Sequence, residues 1–162
     1  MKTEQPCDTG RQKEDRAHSL RICGRVATPL QIDRAVLQTM DTIEANNLRL
    51  ICGSGEPRET ISHLSGVLLS DVINMAEVVI EDHNDTKKMY IIAASPDGYK
   101  AVFSWQEIFN SSVGEGVMIV LERDGKQLYQ QGNAVDLVSS HDFLTGPRYV
   151  RQLESIEIVM VA

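Results

Sequence analysis

Two Asp-Gly pairs, each lying between short apolar runs, most restrict how this 162-residue chain can fold. Asp97-Gly98 separates MYIIAA from YKAVF, and Asp124-Gly125 separates VMIVLER from KQLYQQ. Because an Asp-Gly pair supplies the positive φ angles of a tight hairpin turn, each pair predicts two antiparallel strands. The sequence therefore favours sheets built from hairpins over a regular alternation of strands and helices.

Further strands are predicted in LRICGRV from Leu20, in LRLIC ending at Cys52 and in SIEIVMV near the C-terminus, which gives about seven strands. GSGEPRET after Cys52 is predicted to be a surface loop, because its glycines and proline interrupt any period. Helices fall between groups of hairpins. The predicted fold class is therefore α+β, a mixed or antiparallel β-sheet with short helices.

Three helices are predicted. The first is a short helix capped by Asp33, and the second lies in GVLLSDVINMAEV. The third, Trp105 to Phe109, begins at a capping box formed by Ser104 and Glu107. The apolar stripes are Val36, Leu37, Met40 and Ile43 in the first helix, and Leu69, Val72, Ile73 and Ala76 in the second. Trp105 and Phe109 are assigned to packing.

Composition divides the chain into a tail and one domain. Residues 1–19 are polar, carry both charge signs and have no apolar period, which is typical of a flexible terminus. Residues 20–162 are predicted to form a single domain.

A formal charge of −7 argues against nucleic acid as a partner, since proteins that bind phosphate backbones present a basic surface. Without a signal-like or membrane-spanning run, the chain is expected to be cytoplasmic and not membrane-bound.

The cysteines and histidines do not form a recognisable metal motif. Cys7, Cys23 and Cys52 are an odd, widely spaced set, so free thiols are expected. The four histidines are scattered, and no pair has the spacing of a zinc-binding HExxH motif. His141 is followed by Asp142, but adjacent His-Asp pairs are too common to indicate acid/base catalysis.

The order of several segments resembles a known family. GRVATPL, the strand ending in Cys52, LSGVLLSDVI, ASPDGY, LERDGKQL and GPRYVRQLESIEI together resemble the sulfite oxidase type of molybdopterin-binding oxidoreductase domain, from about Leu20 to the C-terminus. The resemblance implies that the Cys52 thiolate binds molybdenum held by a pterin dithiolene. It also implies that Arg148 and Arg151 stand where the family has lysines near the pterin phosphate. The implied substrate is a small oxoanion or a sulfoxide.

Two further residues are candidates for anion contacts. Arg58 and His63 follow Cys52 in the predicted loop and could meet an anion, although exposed surface residues are the commoner case. The Asp97-Gly98-Tyr99 segment is assigned a turn and no chemistry, despite its place in the resemblance. The binding candidates are therefore Cys52 for metal, and Arg148, Arg151, Arg58 and His63 for the cofactor.

The chain also departs from the family pattern. Its first twenty residues replace a segment that usually adds pterin contacts, and Gln152 replaces a tryptophan. Asp136 places a carboxylate where the family has an arginine, in Gly132 to Asp136. A carboxylate beside a phosphate repels it, by about 1 kcal/mol in water at contact distance. These departures disfavour an anionic cofactor.

Three functions stay open. The first is oxygen-atom redox chemistry at a cysteine-ligated molybdenum centre. The second is a ligand-binding or protein-interaction module that keeps the fold without a cofactor, with no particular protein partner indicated. The third is a thiol-based redox or sensing protein, in which backbone N–H groups of Gly53, Ser54 and Gly55 stabilise the Cys52 thiolate. A buried Cys52 that only packs is the alternative to all ligand roles.

Overall fold

In the computed structural model, the described residues are 7, 19–129 and 134–162. They form ten strands, three α-helices and two 3-10 turns. The strands are β1 Leu20–Gly24, β2 Leu30–Ile32, β3 Ile43–Ile51, β4 Pro57–Leu68, β5 Met89–Ala94, β6 Lys100–Ser104, β7 Val117–Arg123, β8 Lys126–Gln127, β9 Asp136–Ser139 and β10 Ser155–Met160. The helices are α1 Arg34–Leu37, α2 Leu69–Met75 and α3 Trp105–Phe109, and the 3-10 turns are Asp85–Lys88 and Gly114–Gly116.

The strands build two sheets. The first has the order β2-β1-β10-β5-β6, in which β1 and β10 are parallel and the other pairs antiparallel. The second has the order β3-β4-β7-β8, and β9 also pairs with β7; all its pairs are antiparallel. The predicted α+β class with mixed or antiparallel sheets and short helices is confirmed.

Strand β7 lies between two apolar cores. Val117, Ile119 and Leu121 on one face pack into the larger core, which combines residues of both sheets and of α2. Met118 and Val120 on the other face join a smaller core with residues of β3, β4 and β9. Successive strand residues point to opposite faces, so burial on both sides explains why VMIVL is a continuous apolar run.

Both hairpin turns and the Ser104–Glu107 capping box are confirmed, whereas Asp33 precedes α1 without a side-chain hydrogen bond that caps it. β5 pairs with β6 across Asp97-Gly98, and β7 pairs with β8 across Asp124-Gly125. Gly98 and both residues of the second pair have positive φ angles, as tight turns require. At the start of α3, the Ser104 side chain accepts a hydrogen bond from the Glu107 N–H, and the Glu107 side chain accepts one from the Ser104 N–H.

The first helix and the loop after Cys52 were predicted too long. Helix α1 ends at Leu37, and Ile43 begins β3, where it pairs with Gly66. The backbone bonds of strand pairing therefore outweigh the helical spacing of Met40 and Ile43. Strand β4 begins at Pro57, so the second half of the predicted loop GSGEPRET is strand. A proline is compatible with the first position of a strand, where no ladder N–H is required of it.

The expectation of three free thiols was wrong. Cys7 and Cys23 form a disulfide with Cα atoms 5.3 Å apart, and Cys52 is free. The two cysteines are 16 residues apart with no spacing motif, so nothing in the sequence indicated their pairing. The rest of the predicted tail, apart from Cys7 and Ser19, lies outside the described residues. The division into tail and domain stays a prediction.

Candidate functional site

Cys52 lies immediately after β3, in the turn that connects β3 to β4. Its N–H donates to the Glu56 carbonyl (3.0 Å), and its carbonyl accepts from the Gly55 N–H (2.8 Å). Gly55 has a φ angle of +89°, a conformation that glycine adopts without a steric penalty. These two backbone hydrogen bonds, one from the N–H and one to the carbonyl of Cys52, fix the position of its Cα atom.

Cys52 lines a cleft of about 500 Å³. Three parts of the chain form its walls: the β3–β4 hairpin, the turn between β5 and β6, and a C-terminal segment that precedes β10. Its lining residues are Leu50, Ile51, Cys52, Gly53, Arg58, Glu59, Ser95, Asp97, Tyr99, Gly146, Pro147, Tyr149 and Arg151. The volume is within the usual range for small-molecule and cofactor sites.

The C-terminal wall is attached to β3 through Thr145. Its buried hydroxyl donates to the Arg49 carbonyl (2.7 Å) and accepts from the Ile51 N–H (2.9 Å). The Gly146 N–H then donates to the Ile51 carbonyl (2.8 Å). A Cβ at Gly146 would lie 2.9 Å from that oxygen, so glycine allows this close approach. Thr145 and Gly146 therefore hold the wall against the strand that ends beside Cys52.

Tyr99 connects the other two walls. Its phenol O–H donates to the Pro147 carbonyl (2.6 Å), which ties the β5–β6 turn to the C-terminal segment. The turn itself is stabilised by Asp97, whose carboxylate accepts from the Tyr99 N–H (3.1 Å) and from the Ser95 hydroxyl. The Ser95 hydrogen bond lowers the pKa of Asp97. This carboxylate is thus engaged within its own turn.

The Cys52 thiol ionises more readily than an ordinary cysteine. Its Sγ is 2.8 Å from the Ser54 Oγ, and this hydrogen bond is the main reason that the pKa of Cys52 falls to about 7. The backbone of Ser54 and Glu56 and the Arg58 side chain also lower the pKa, while desolvation opposes them. Cys52 is half-buried rather than enclosed. A large fraction of the thiol is therefore thiolate at neutral pH.

Two arginines at the cleft have no carboxylate partner. Within the described ranges, neither Arg58 nor Arg151 has a carboxylate oxygen within 4 Å of its guanidinium. Glu59, the second carboxylate of the lining, is instead paired with Arg123 at 2.7 Å, which lowers the pKa of Glu59. The two carboxylates of the cleft thus have hydrogen-bond partners, while Arg58 faces the Cys52 thiol and neither cleft guanidinium is held by a described carboxylate within 4 Å.

Arg148 lies close in sequence but in a different environment. Its guanidinium donates to both carboxylate oxygens of Asp142 (2.8 and 2.9 Å) and to Glu107 (3.0 Å). It also donates to the Val102 carbonyl and lies 4.2 Å from the centre of the Phe103 ring. These contacts raise the pKa of Arg148, mainly through the hydrogen bonds to Asp142. Arg148 is not among the residues that line the cleft.

His63 is also outside the cleft lining. It lies on β4, and its ring Nε2 is 3.4 Å from a Glu44 carboxylate oxygen. Its backbone N–H donates to the Asp124 carboxylate (3.0 Å). Of the five candidate residues, the structure brings Cys52, Arg58 and Arg151 together and leaves Arg148 and His63 elsewhere.

Asp136 does not face the cleft. It is 2% exposed, and its carboxylate accepts from the Tyr129 O–H (2.8 Å), the Tyr149 O–H (2.8 Å) and the Gln152 N–H (2.9 Å). Burial, with Asp136 nearby, raises the pKa of Tyr129 to about 12 and raises that of Tyr149 further. The carboxylate that was expected to repel an anion is therefore covered by three donors. Gly132 and Asn133 of the same sequence segment lie outside the described residues.

Among the polar lining residues, sequence reasoning gave no role to Glu59, Ser95, Asp97, Tyr99 or Tyr149. Tyr99 stands in the ASPDGY segment, so the resemblance offered a signal that was read only as a turn. Tyr149 lies between Arg148 and Arg151 in the sequence and could have been found in the same way. Glu59 had no signal, because it was assigned to a surface loop.

The described part of the chain contains no group of three His, Cys, Asp or Glu side chains placed to hold a metal ion. A metal at Cys52 would therefore need ligands that the described residues do not supply.

Over the same residues, no helix has the length and apolar character needed to cross a bilayer.

Comparisons with known proteins support the fold only. No protein-family model matches the chain, and no curated protein matches it. Among solved structures, the chain is similar to the sulfane dehydrogenase SoxCD from Paracoccus pantotrophus, with a TM-score of 0.61 and 16% sequence identity. The match covers 96% of this chain and 41% of that one. The chain therefore has the fold of a part of a larger dehydrogenase chain.

Proposed function

We propose that this protein binds a molybdenum–pterin group through the Cys52 thiolate and takes part in oxygen-atom redox chemistry. The observation that carries the proposal is the position of Cys52: a free thiol with a lowered pKa, at the edge of a cleft of about 500 Å³. The sequence resemblance and the fold shared with a sulfane dehydrogenase support the same assignment.

The lining residues fit such a group in charge and in ligand type. A thiolate is a soft ligand and suits a thiophilic metal. Arg58 and Arg151, which no described carboxylate holds, would neutralise an anionic pterin, and an arginine can hold a phosphate with two parallel N–H donors. Arg148 would have to release Asp142 and Glu107 before it could do the same, so Arg58 and Arg151 would contact the phosphate more readily than Arg148.

When bound, the group would supply two-electron oxygen-atom transfer, and the protein would supply orientation and charge. Arg58 and Arg151 would attract a small oxoanion or the oxygen of a sulfoxide toward the cleft. Tyr149 keeps its phenolic proton, because burial raises its pKa, and its O–H is used by Asp136. Its part in the cleft is therefore that of an apolar wall and a support for Arg151.

Metal analysis tests this proposal. Protein produced in a molybdenum-replete host is expected to contain molybdenum and to absorb in the visible range. Cys52→Ser is expected to lose both, because it removes the thiolate. The matched surface control is Glu115→Gln, which changes an exposed residue outside the cleft lining and should leave the metal content unchanged. Molybdenum-free parent protein that is indistinguishable from Cys52→Ser would contradict the proposal and favour a cofactor-free module.

A second candidate function is thiol chemistry by Cys52 alone. The specific observation in its favour is the pKa of about 7, since the thiolate is the reactive form of cysteine. The other two cysteines are joined to each other, so a resolving thiol would have to come from another molecule. Attack of the Cys52 thiolate on oxidised glutathione, which forms a mixed disulfide and releases one glutathione thiolate, would favour this function if the parent protein is free of molybdenum.

The compartment is a separate question. The sequence favoured the cytoplasm, whereas the Cys7–Cys23 disulfide favours an oxidising compartment, because cytosolic thiols are kept reduced. We infer that the protein matures where disulfides form. Thiol counting on denatured, unreduced protein should give one free thiol from an oxidising compartment, and three would restore the cytoplasmic prediction.

A further inference from the structure

A buried carboxylate lies behind the cleft and has no role in the function proposed above. Asp136, at the start of β9, is 2% exposed and accepts three hydrogen bonds of 2.8 to 2.9 Å. Two of the donors belong to the segment that forms the C-terminal wall: the Tyr149 O–H and the Gln152 N–H. A buried charge with three donors is well stabilised, and each donor is fixed in return.

The backbone around Asp136 is attached to the same segment. Leu137 and Val150 exchange both N–H···O bonds, at 2.8 and 2.9 Å, and the Leu153 N–H donates to the Val135 carbonyl at 2.7 Å. Between these bonds the chain bends, because Gln152 has a φ angle of +53°. This left-handed conformation is unfavourable for a residue other than glycine, so it needs support from its surroundings. The hydrogen bond from the Gln152 N–H to Asp136 holds the bend in place.

Arg151 is the residue just before that bend. Its guanidinium carbon lies 5.2 Å from the centre of the Tyr149 ring, within the range of a cation–π contact. The ring is itself fixed by the hydrogen bond from its O–H to Asp136. Asp136 thus holds both supports of Arg151: the peptide N–H that follows it and the ring beneath it.

From these contacts we propose that Asp136 is a positioning residue that directs Arg151 into the cleft and so increases the attraction of the cleft for anions. The proposal rests on the role given above to Arg151, but it concerns anion recognition only and involves no cofactor. It reverses the sequence-based expectation for Asp136. A carboxylate that only repelled anions would weaken such recognition, whereas one that orients a guanidinium strengthens it.

Alkylation of Cys52 provides the readout, because this free cysteine lines the cleft and a thiolate is the nucleophile with which alkylating reagents react. Iodoacetate is an anion and iodoacetamide is neutral, so the ratio of their alkylation rates reports the local positive charge. The full chain, produced without added molybdenum, is used for every variant. Arg151→Gln should lower the iodoacetate-to-iodoacetamide ratio by about fivefold. Asp136→Asn should lower it by a similar factor, and the double variant should fall no further than Arg151→Gln alone.

The alternative outcomes are distinct. An unchanged or higher ratio in Asp136→Asn would overturn the proposal, and so would an Arg151→Gln ratio equal to that of the parent. Glu115→Gln removes one exposed negative charge and should leave the ratio within about twofold of the parent. The measurement needs no metal, so a failure to find molybdenum would leave it unaffected, and its own failure would leave the metal analysis unaffected.

A second variant keeps the test decisive if Asp136→Asn does not fold. Tyr149→Phe keeps the Asp136 charge and removes one of its three donors. A positioning role predicts a lower ratio for Tyr149→Phe, and a purely electrostatic role of Asp136 predicts no change. No change in a folded Tyr149→Phe variant would contradict the proposal.

Discussion

Arg148 and Arg151 stand three residues apart in one segment but belong to different regions of the molecule. Arg148 lies in a cluster with Asp142 and Glu107, where two carboxylates, a backbone carbonyl and an aromatic ring occupy its guanidinium. Arg151 lines the cleft beside Cys52 and has no described carboxylate within 4 Å. We call these the Arg148 cluster and the Cys52 cleft.

The difference lies in the partners rather than in the arginines. A guanidinium that already has two carboxylates must lose them before it can bind an incoming anion, and this loss offsets the gain. A guanidinium supported only by an aromatic ring and a backbone bend has no such loss. The Arg148 cluster is therefore expected to stabilise the fold, and the Cys52 cleft to bind.

The largest expected effect is a difference in the free energy of unfolding between the alanine variants of Arg148 and Arg151. Arg148→Ala leaves Asp142 and Glu107 without their cation and should lower the free energy of unfolding by about 2 to 3 kcal/mol. Arg151→Ala removes an exposed side chain and should change it by less than about 0.5 kcal/mol. Urea unfolding followed by circular dichroism measures both. Equal losses in the two variants would remove the distinction.

A smaller effect should appear in the ionisation of Cys52. Its lowered pKa means that the thiolate is present above pH 7 and is lost as the pH falls through that value. Ser54→Ala removes the main cause and should move the pKa toward the ordinary value of 9.0, so alkylation by iodoacetamide at pH 7 slows by up to about tenfold. Arg148→Gln lies outside the cleft and should leave the pH profile unmoved. A pKa near 9 in the parent would refute this account of the thiol.

The smallest effect concerns the wall of the cleft. Tyr99→Phe removes the hydrogen bond to the Pro147 carbonyl and should lower the free energy of local opening between the two walls by about 1 kcal/mol, with little change in global stability. Because this bond joins two walls, amide hydrogen exchange should accelerate near Pro147 and not in β7, the doubly buried strand. Faster exchange in both places would indicate a general loss of stability instead.

Local sequence patterns were sufficient for much of the fold. Both Asp-Gly hairpins and the Ser104–Glu107 capping box are local features, so neighbouring residues determine them. The long β3–β4 hairpin was missed, because the residues after Cys52 pair with β3 for reasons that no short window contains. The Cys7–Cys23 pairing is non-local in the same way.

The site was predictable only in part. Cys52 and Arg151 were reached through the resemblance, and Arg58 through its place in the chain after Cys52. The sequence could not tell Arg151 from Arg148, since their difference depends on Asp142 and Glu107 folding back on one of them. The surroundings of Asp136 could not be predicted for the same reason: a sequence shows a carboxylate only as a charge, and its three donors appear only in the fold.

The most direct test of the central claim is an anomalous difference map, collected at the molybdenum absorption edge, from crystals of protein produced in a molybdenum-replete host. The account predicts a peak at bonding distance from the Cys52 Sγ, with Arg58 and Arg151 directed at the attached group and Arg148 still bound to Asp142. A cleft without that peak, or a peak remote from Cys52, would contradict it.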